Sequence, residues 1–353
     1  MPLEPEILFE RRGAAGVITL NRPQALNAVT HPMVRALATK LGEWAKDPAI
    51  TRVLVTSSGE RAFSAGGDIR VLYDLGRGGK HADALRFWRE EYTLNTLIKR
   101  YPKPYVALID GIVMGGGVGV SIHGSHRVAG DRFQFAMPEV GIGFFPDVGA
   151  TWFLPRMPGE TGTYCALTGE RLKAADALAT GIATHHVASD RWRELTAALC
   201  GNTPVDAVLA AFHEPMGLGP LTVRRKAVDV LFSLNNVEDL MATLDHEAIS
   251  GSDSAGFAGA TAALMRSKSP TSLKLALAQV RRGKKASFTD CMKMEFRIVS
   301  RVVRGHDFYE GVRALIIDKD RAPMWKPETL ADVSEAEIER HFAPLESGEL
   351  ELP

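Results

Sequence analysis

Apolar and polar positions follow two regimes along the chain. In the first, residues 15–21 (AGVITLN), 50–57 (ITRVLVTS) and 104–110 (PYVALID) are short runs rich in Val, Ile and Thr and read as strands. Between the first two, Met33, Leu37, Leu41 and Trp44 recur at three- and four-residue intervals, which predicts a helix over 31–46. A second helix is expected over 82–99, its apolar face marked by Leu85, Trp88, Leu94 and Ile98. With a further helix opening near Gly115, the order predicts repeated α/β units on a partly parallel sheet. Residues 126–136 (HRVAGDRFQFA) read as a strand pair around a Gly-Asp turn.

Beyond residue 160 the β-runs largely stop. Helical patterning takes over at 160–168, 173–180, 190–200, 203–212, 237–249, 254–267, 270–282, 287–304 and 308–318. In the tail, Ser334-Glu335-Ala336-Glu337 is a helix start. No repeat period suggests a solenoid. The expected organisation is an α/β core over residues 1–200, carrying any ligand site, and a mainly helical region over 201–353 packed on it, since no long Ser/Gly linker divides them.

Composition narrows the function classes. The 353 residues are 45% hydrophobic and 24% charged, the mix of a soluble globular chain with a full core. Lys+Arg and Asp+Glu both total 42, so no basic excess supports nucleic-acid binding. Cys165, Cys200 and Cys291 are few, far apart and odd in number, which argues against a disulfide framework or a cysteine zinc site and fits a reducing cytoplasm. The opening Met-Pro-Leu-Glu-Pro-Glu carries no basic stretch leading into an apolar run, so no signal peptide is expected. The longest apolar stretches reach about half of what a membrane span needs.

Several familiar motifs fail on inspection. GGGVG (115–119) meets Val120 where a dinucleotide fingerprint needs its last Gly, and GRGGK (76–80) is followed by His81 where a phosphate loop needs Ser or Thr. His123 and His126 are one turn apart with no evident third ligand, so no metal site is expected. GVSIH (119–123) nearly matches a nucleophile elbow, but Ser121 would lie well inside a helix rather than on a sharp strand-to-helix turn.

Two glycine segments carry more. RAFSAGGDI (61–69) and IDGIVMGGGVG (109–119) each place glycine-rich backbone after a strand and before a helix. Such turns present free N–H groups, and two of them side by side would make an oxyanion hole; tight turns and close packing explain the same glycines. In FAMPEVGIGFFPDVGATWFLPRMPG (135–159), Glu139 and Asp147 sit among apolar residues. Carboxylates so placed are either paired, for instance with Arg127 or Arg156, or shifted in pKa and available as base or nucleophile. Glu91, three residues from both Trp88 and Leu94, points with the apolar face of its helix, as a core ion pair or as a functional group.

ITLNRPQALNAV (18–29), FSAGGDI (63–69), GIVMGGGVGVS (111–121) and MPEVGIGFFPDVGA (137–150), in this order, resemble the crotonase (enoyl-CoA hydratase/isomerase) superfamily. Together with EFRIVSRVVRGHDFYEGVRALIIDKDRAPMWKP (295–327), they look most like its branch that hydrolyses β-hydroxyacyl-CoA thioesters, and the resemblance runs from about residue 6 to residue 340. It implies an α/β fold of the crotonase type, a spiral of ββα units with a helical C-terminal region. It implies an oxyanion hole from the N–H groups of Ala65 and Gly116, and a CoA path along Ala65, Gly66, Gly67, Asp68 and Ile69. The acyl contacts would fall on Glu91, Gly116, Glu139 and Asp147, with Glu139 and Asp147 catalytic. The family's hydratases use a second glutamate three residues after the oxyanion-hole glycine; here that position is Gly119. The implied reaction is therefore hydrolysis of a short branched β-hydroxyacyl-CoA, 3-hydroxyisobutyryl-CoA first among them, as in valine breakdown. An enoyl-CoA hydratase or isomerase and a non-catalytic CoA-binding protein are the alternatives. The resemblance implies no metal and no cofactor beyond the CoA of the substrate, an acyl-CoA as the only small-molecule partner, no nucleic-acid or membrane partner, and a possible homo-oligomer. Two basic clusters, Arg224-Arg225-Lys226 and Arg281-Arg282-Gly283-Lys284-Lys285, read as solvated helix ends or as contacts for CoA phosphates.

Overall fold

The computed structural model describes residues 5–353; the first four residues of the acidic N-terminal stretch lie outside it. The chain opens with β1 (Ile7–Arg12), β2 (Ala15–Leu20), α1 (His31–Lys46), β3 (Arg52–Ser57), β4 (Ala62–Ser64), α2 (Ile69–Arg77) and α3 (His81–Lys99). It continues through β5 (Tyr105–Ile109), β6 (Ile112–Met114), α4 (Gly116–Gly119), β7 (His126–Ala129) and β8 (Gln134–Ala136). Next come α5 (Ala150–Phe153), α6 (Thr161–Thr168), β9 (Leu172–Lys173), α7 (Ala174–Thr180), β10 (His185–His186), α8 (Trp192–Leu199) and α9 (Val205–Phe212). The rest is helical: α10 (Pro220–Val223), α11 (Arg225–Leu231), α12 (Val237–Ala248), α13 (Ala255–Arg266), α14 (Pro270–Gly283), α15 (Phe288–Val302), α16 (Asp307–Val312) and α17 (Glu335–Phe342).

Two sheets result, one of six strands in the order β1-β2-β3-β5-β7-β10 and one of four in the order β4-β6-β8-β9. The pairs β3/β4, β5/β6 and β7/β8 each give one strand to each sheet, so the chain advances as a spiral of ββα units: the crotonase fold. Among the described residues, only β1 in the larger sheet and β9 in the smaller run antiparallel to their neighbours. Residues 126–136 therefore do not form a hairpin. The Gly130-Asp131 turn carries the chain from one sheet to the other: Gly130 N–H donates to Ile109 carbonyl and Arg132 N–H to Asp110 Oδ1. Alternation shows that two strands exist but not which partner each takes.

The parallel strands β2, β3 and β5 at the centre of the larger sheet are buried on both faces, as parallel strands require. Ile18, Leu20, Val53, Val55, Ala107 and Ile109 face the main core, whereas Ala15, Val17, Leu54, Val106, Leu108 and Val128 pack against Leu195, Leu199 and Leu209 of α8 and α9. The main core also takes in Leu273, Leu277, Phe296, Val299, Phe308 and Val312, so the C-terminal helices share it. Thr30 caps α1, accepting from Met33 N–H, and Met33, Leu37, Leu41 and Trp44 are buried as their spacing predicts. Among the described residues no helix is long and apolar enough to cross a membrane.

Candidate active site

Helix α3 lays one face along three glycines. Phe87, Glu91 and Asn95 are spaced four apart, hence stacked on that face. A Cβ on Gly67 would come 3.5 Å from Phe87 Cζ, one on Gly116 would come 2.8 Å from Glu91 Oε1, and one on Gly119 would come 2.8 Å from Asn95 Nδ2. The glycines let the helix approach the two glycine-rich turns and set Glu91 against Gly116. At Gly119 a Cβ would also lie 2.9 Å from Val148 Cβ. The space a hydratase-type carboxylate would occupy is filled here. Gly119→Glu is therefore expected to disrupt packing rather than create a hydratase, and even Gly119→Ala should cost about 1–3 kcal/mol of stability, as overpacked cores do, checked by denaturant unfolding.

The backbone donors of the two turns differ from the expected pair. Ala65 N–H is not free: it donates to the Leu26 carbonyl at 2.9 Å. That carbonyl is set by the NRPQALNAV loop, where Leu26 (φ 51) and Asn27 (φ 54) are left-handed and Asn27 bridges Arg22 N–H, Ser58 and Ala62. Gly66 N–H faces Ser64 Oγ at 3.4 Å. Among the described residues, the Gly67 and Gly116 N–H groups have no acceptor, and Gly67 N lies 3.1 Å from the Cβ position of Gly116. The facing pair of unbonded amides is thus Gly67 and Gly116, and Ala65 is corrected to a lining residue. Asp68 is tied to Arg22 Nη2 at 3.1 Å, which fixes the end of the same turn ahead of Ile69.

Three expected carboxylates and one unexpected one gather behind these turns. Glu91, Glu139, Asp147 and Glu295 are 2%, 6%, 5% and 0% exposed, and among the described residues none makes a salt bridge. The arginines offered as partners are used elsewhere: Arg127 donates to the Gly124, Gly181 and Ile182 carbonyls, Arg156 to those of Trp152, Gly283 and Ala286. Burial without a cation disfavours the charged form, and like charges add to it. Burial, then the charges of Asp147 and Glu295, hold Glu91 and Glu139 well above the usual glutamate range. Burial pushes Asp147 up to about 7, against the Tyr92 hydroxyl, which donates to its Oδ2 at 2.9 Å. Burial and Asp147 push Glu295 up to about 8, against the Gly149 and Thr151 N–H groups that it accepts. Among the described residues, Glu91 Oε1 and Glu139 Oε2 have no hydrogen-bond partner, and Glu139 Oε1 lies 3.4 Å from the Cβ position of Gly115.

Glu139 opens a 3-10 turn (Glu139–Ile142) that ends at left-handed Gly143. Helix α16 presses on this turn: a Cβ on Gly143 would overlap the Asp307 carbonyl, and one on Gly311 would overlap Ile142. Asp307 is held in place by Ser269 Oγ and Lys326 N–H. The GHDFYEGVR stretch (305–313), which carries helical patterning in the sequence, is the brace beneath Glu139.

Glu295 could have been found by the argument that picks out Glu91. Met292, Glu295, Phe296 and Val299 share the buried face of α15, so a carboxylate there points inward. Nothing in the sequence singles out Asn95, whose Oδ1 and Nδ2 are both buried and unpartnered, or the free amide of Gly67. Ser121 lies beyond α4, which ends at Gly119, and its hydroxyl donates to the Gly117 and Val118 carbonyls. His123 and His126 diverge, the first to the Val148 carbonyl and the second to Asp206. Of the basic clusters, Arg224, Arg225 and Lys226 are exposed, whereas Arg281 is a half-buried pin to Glu160, Thr163 and the Phe232 and Leu234 carbonyls.

The chain belongs to the enoyl-CoA hydratase/isomerase family, whose profile matches residues 15–342. Within it, the chain is 45% identical over 357 residues to the Danio rerio 3-hydroxyisobutyryl-CoA hydrolase, mitochondrial, covering 98% of this chain and 92% of that protein. It is 42% identical to the Homo sapiens protein of the same description, covering 98% and 91%. Among solved structures, it superposes with a TM-score of 0.92 on a carnitinyl-CoA dehydratase from Mycobacterium thermoresistibile, 42% identical over 98% of both chains. An enoyl-CoA hydratase from Rhodobacter sphaeroides 2.4.1 superposes at 0.91, with 37% identity over 99% of this chain and 100% of that one.

Proposed function

We propose that the chain hydrolyses the thioester of 3-hydroxyisobutyryl-CoA to 3-hydroxyisobutyrate and CoA. The observation that carries the chemistry is the buried, cation-free Glu139 carboxylate beside the facing free amides of Gly67 and Gly116. The thioester oxygen docks on those two amides, which stabilise the negative charge it gains on attack; one such donor typically contributes about 3 kcal/mol. Glu139 delivers the attacking oxygen. It forms the bond itself, expelling CoA as the thiolate, which takes its proton from water, and leaving an acyl-enzyme anhydride that water opens, or it takes a proton from the attacking water. Label found in Glu139 after a single turnover in ¹⁸O-water establishes the anhydride route, since the general-base route puts all of the label in the product acid. Asp147, oriented by Tyr92, handles the acyl hydroxyl or the water, and Glu91 binds the acyl hydroxyl from the α3 side. Ala65 to Ile69 line the CoA path. The chain needs no cofactor of its own, because the coenzyme arrives in the substrate and hydrolysis changes no oxidation state.

The dehydratase and hydratase descriptions of the two solved relatives favour a second reading, addition of water to an enoyl-CoA. Gly119 stands against it: the second glutamate of the hydratase pattern is absent and its space is filled by Asn95 and Val148. The test is thiol release across a panel of acyl-CoAs beside hydration of crotonyl-CoA. The expected result is fastest thiol release from 3-hydroxyisobutyryl-CoA. Hydration of crotonyl-CoA faster than any thiol release would overturn the hydrolase in favour of the hydratase. The same reading places the chain in valine breakdown. It also keeps the cytoplasmic location expected from cysteine usage, although the curated relatives are described as mitochondrial; fractionation of the source cells tests this.

A further inference from the structure

We infer that Glu295, on the C-terminal helix α15, is a positioning residue for the Asp147 carboxylate. The inference rests on the proposed hydrolase in one respect, that Asp147 acts at the reacting centre.

Val148 has φ +51 and Gly149 φ +91. A β-branched residue in the left-handed region is a steric outlier that persists only when its surroundings over-determine it. Those surroundings are unusually complete. The two oxygens of Glu295 accept the N–H groups of Gly149 at 2.7 Å and Thr151 at 2.9 Å. His123 Nε2 donates to the Val148 carbonyl at 2.7 Å; burial pushes this imidazole down to about 3, so it is neutral, with its proton on that nitrogen. Gln279 Nε2, from α14, donates to the Pro146 carbonyl at 2.5 Å and faces Thr151 Oγ1 at 3.2 Å. Tyr92, from α3, donates to the Asp147 carboxylate itself.

The Pro146–Asp147 and Val148–Gly149 peptide units are therefore each fixed, the Asp147 carbonyl accepts from Ala150 N–H at 2.9 Å, and the Asp147 side chain is held at the tip. A carboxyl group with no cation nearby is costly to bury, so a Glu295 that served packing alone would be better replaced by an apolar residue. The Glu295 side chain puts an oxygen against each of the two N–H groups that leave the strained turn together, which neither an amide nor an apolar side chain of that length does. Two of the four clamps, Glu295 and Gln279, come from the helical C-terminal half. That half thus takes part in the site by fixing the direction of Asp147.

The test is Glu295→Gln in the full chain, followed by kinetics on 3-hydroxyisobutyryl-CoA, a melting curve and a crystal structure. The amide keeps the shape but turns an NH₂ group onto one of the two N–H groups. A misplacement near 1 Å is expected to lower kcat by about 30-fold or more while KM stays within about threefold, because the CoA path is untouched. The Asp147 carboxylate should move by about 1 Å in the crystal. A kcat per folded molecule within about threefold of wild type overturns the inference, whatever the melting temperature does. Should Glu295→Gln fail to fold, Gln279→Met, which releases Pro146, carries the same expectation at about tenfold; unchanged kcat there overturns it equally. If the wild type releases no thiol, the hydrolase reading fails, and the crystal structure alone decides the positioning: a displaced Asp147 carboxylate upholds it and an unmoved one overturns it.

Discussion

Replacing Glu139 by glutamine is expected to lower kcat for thiol release by about 10³-fold or more while CoA binding is retained, because the amide is neither a nucleophile nor a base. The same substitution should raise thermal stability, and the sign follows from burial. Glu139 is held well above its ordinary value of 4.5, so the folded chain keeps a proton there that the unfolded chain gives up. Its contribution to stability is complete below 4.5 and is lost as pH rises through the folded value. Asp147 and Glu295, pushed to about 7 and about 8, lose theirs over the same rise. Wild type is therefore expected to melt lower at pH 8 than at pH 5. Glu139→Gln should match it near the acid end and exceed it at pH 8. Thermal melts of both proteins across this range, beside thiol-release kinetics, check the two halves together. A variant that loses activity and also melts lower at pH 8 would assign Glu139 to the fold instead.

The opposed signs express what this site does with free energy. Four carboxylates are gathered in an apolar interior without a cation, which no requirement of folding explains. An acid limb should follow in the activity: the reacting carboxylate works only when ionised and is held well above its ordinary range, so kcat is expected to fall with falling pH already well above the usual glutamate range. A pH–rate profile flat from pH 5 to 8 would separate the kinetics from these carboxylates.

Residue patterning exposes some of this arrangement and hides the rest, for physical reasons. The buried face of α1 and the inward direction of Glu91 follow from helical spacing alone, and Glu295 was open to the same reasoning. The second sheet is hard to see because β4, β6 and β8 are three residues each, too short for alternation to register. The correction from Ala65 to Gly67 has another origin. Which amide of a glycine-rich turn is free depends on which carbonyl reaches it, and here the Leu26 carbonyl arrives from a loop distant in sequence. The strain at Val148 is likewise invisible in its neighbours, since Pro-Asp-Val-Gly suggests a turn but not a valine at φ +51. Site residues are legible where burial and period agree. They are lost where the decisive partner is a backbone group from elsewhere in the chain.

Wild type is expected to prefer 3-hydroxyisobutyryl-CoA over isobutyryl-CoA by about 10³-fold or more in kcat/KM, and Glu91→Gln to collapse most of that preference. A site built to hydrogen-bond a substrate hydroxyl rejects the analogue lacking it, because the site's own buried polar group is then left unpaired. Glu91 meets the requirement. Its Oε1 is buried, has no partner among the described residues and points at Gly116, one of the two free amides proposed to bind the thioester oxygen. A core ion pair, the other reading of a carboxylate on an apolar helix face, has no cation here to support it. The two roles also predict different thermal behaviour. Breaking a buried ion pair costs about 3–5 kcal/mol, whereas Glu91→Gln removes a carboxylate that burial already holds well above its ordinary range, and should leave melting unchanged or raise it above neutral pH. The measurement is one variant, two substrates and a melting curve. A large fall in melting temperature with equal kinetic losses on both substrates would move Glu91 from the acyl pocket into the core.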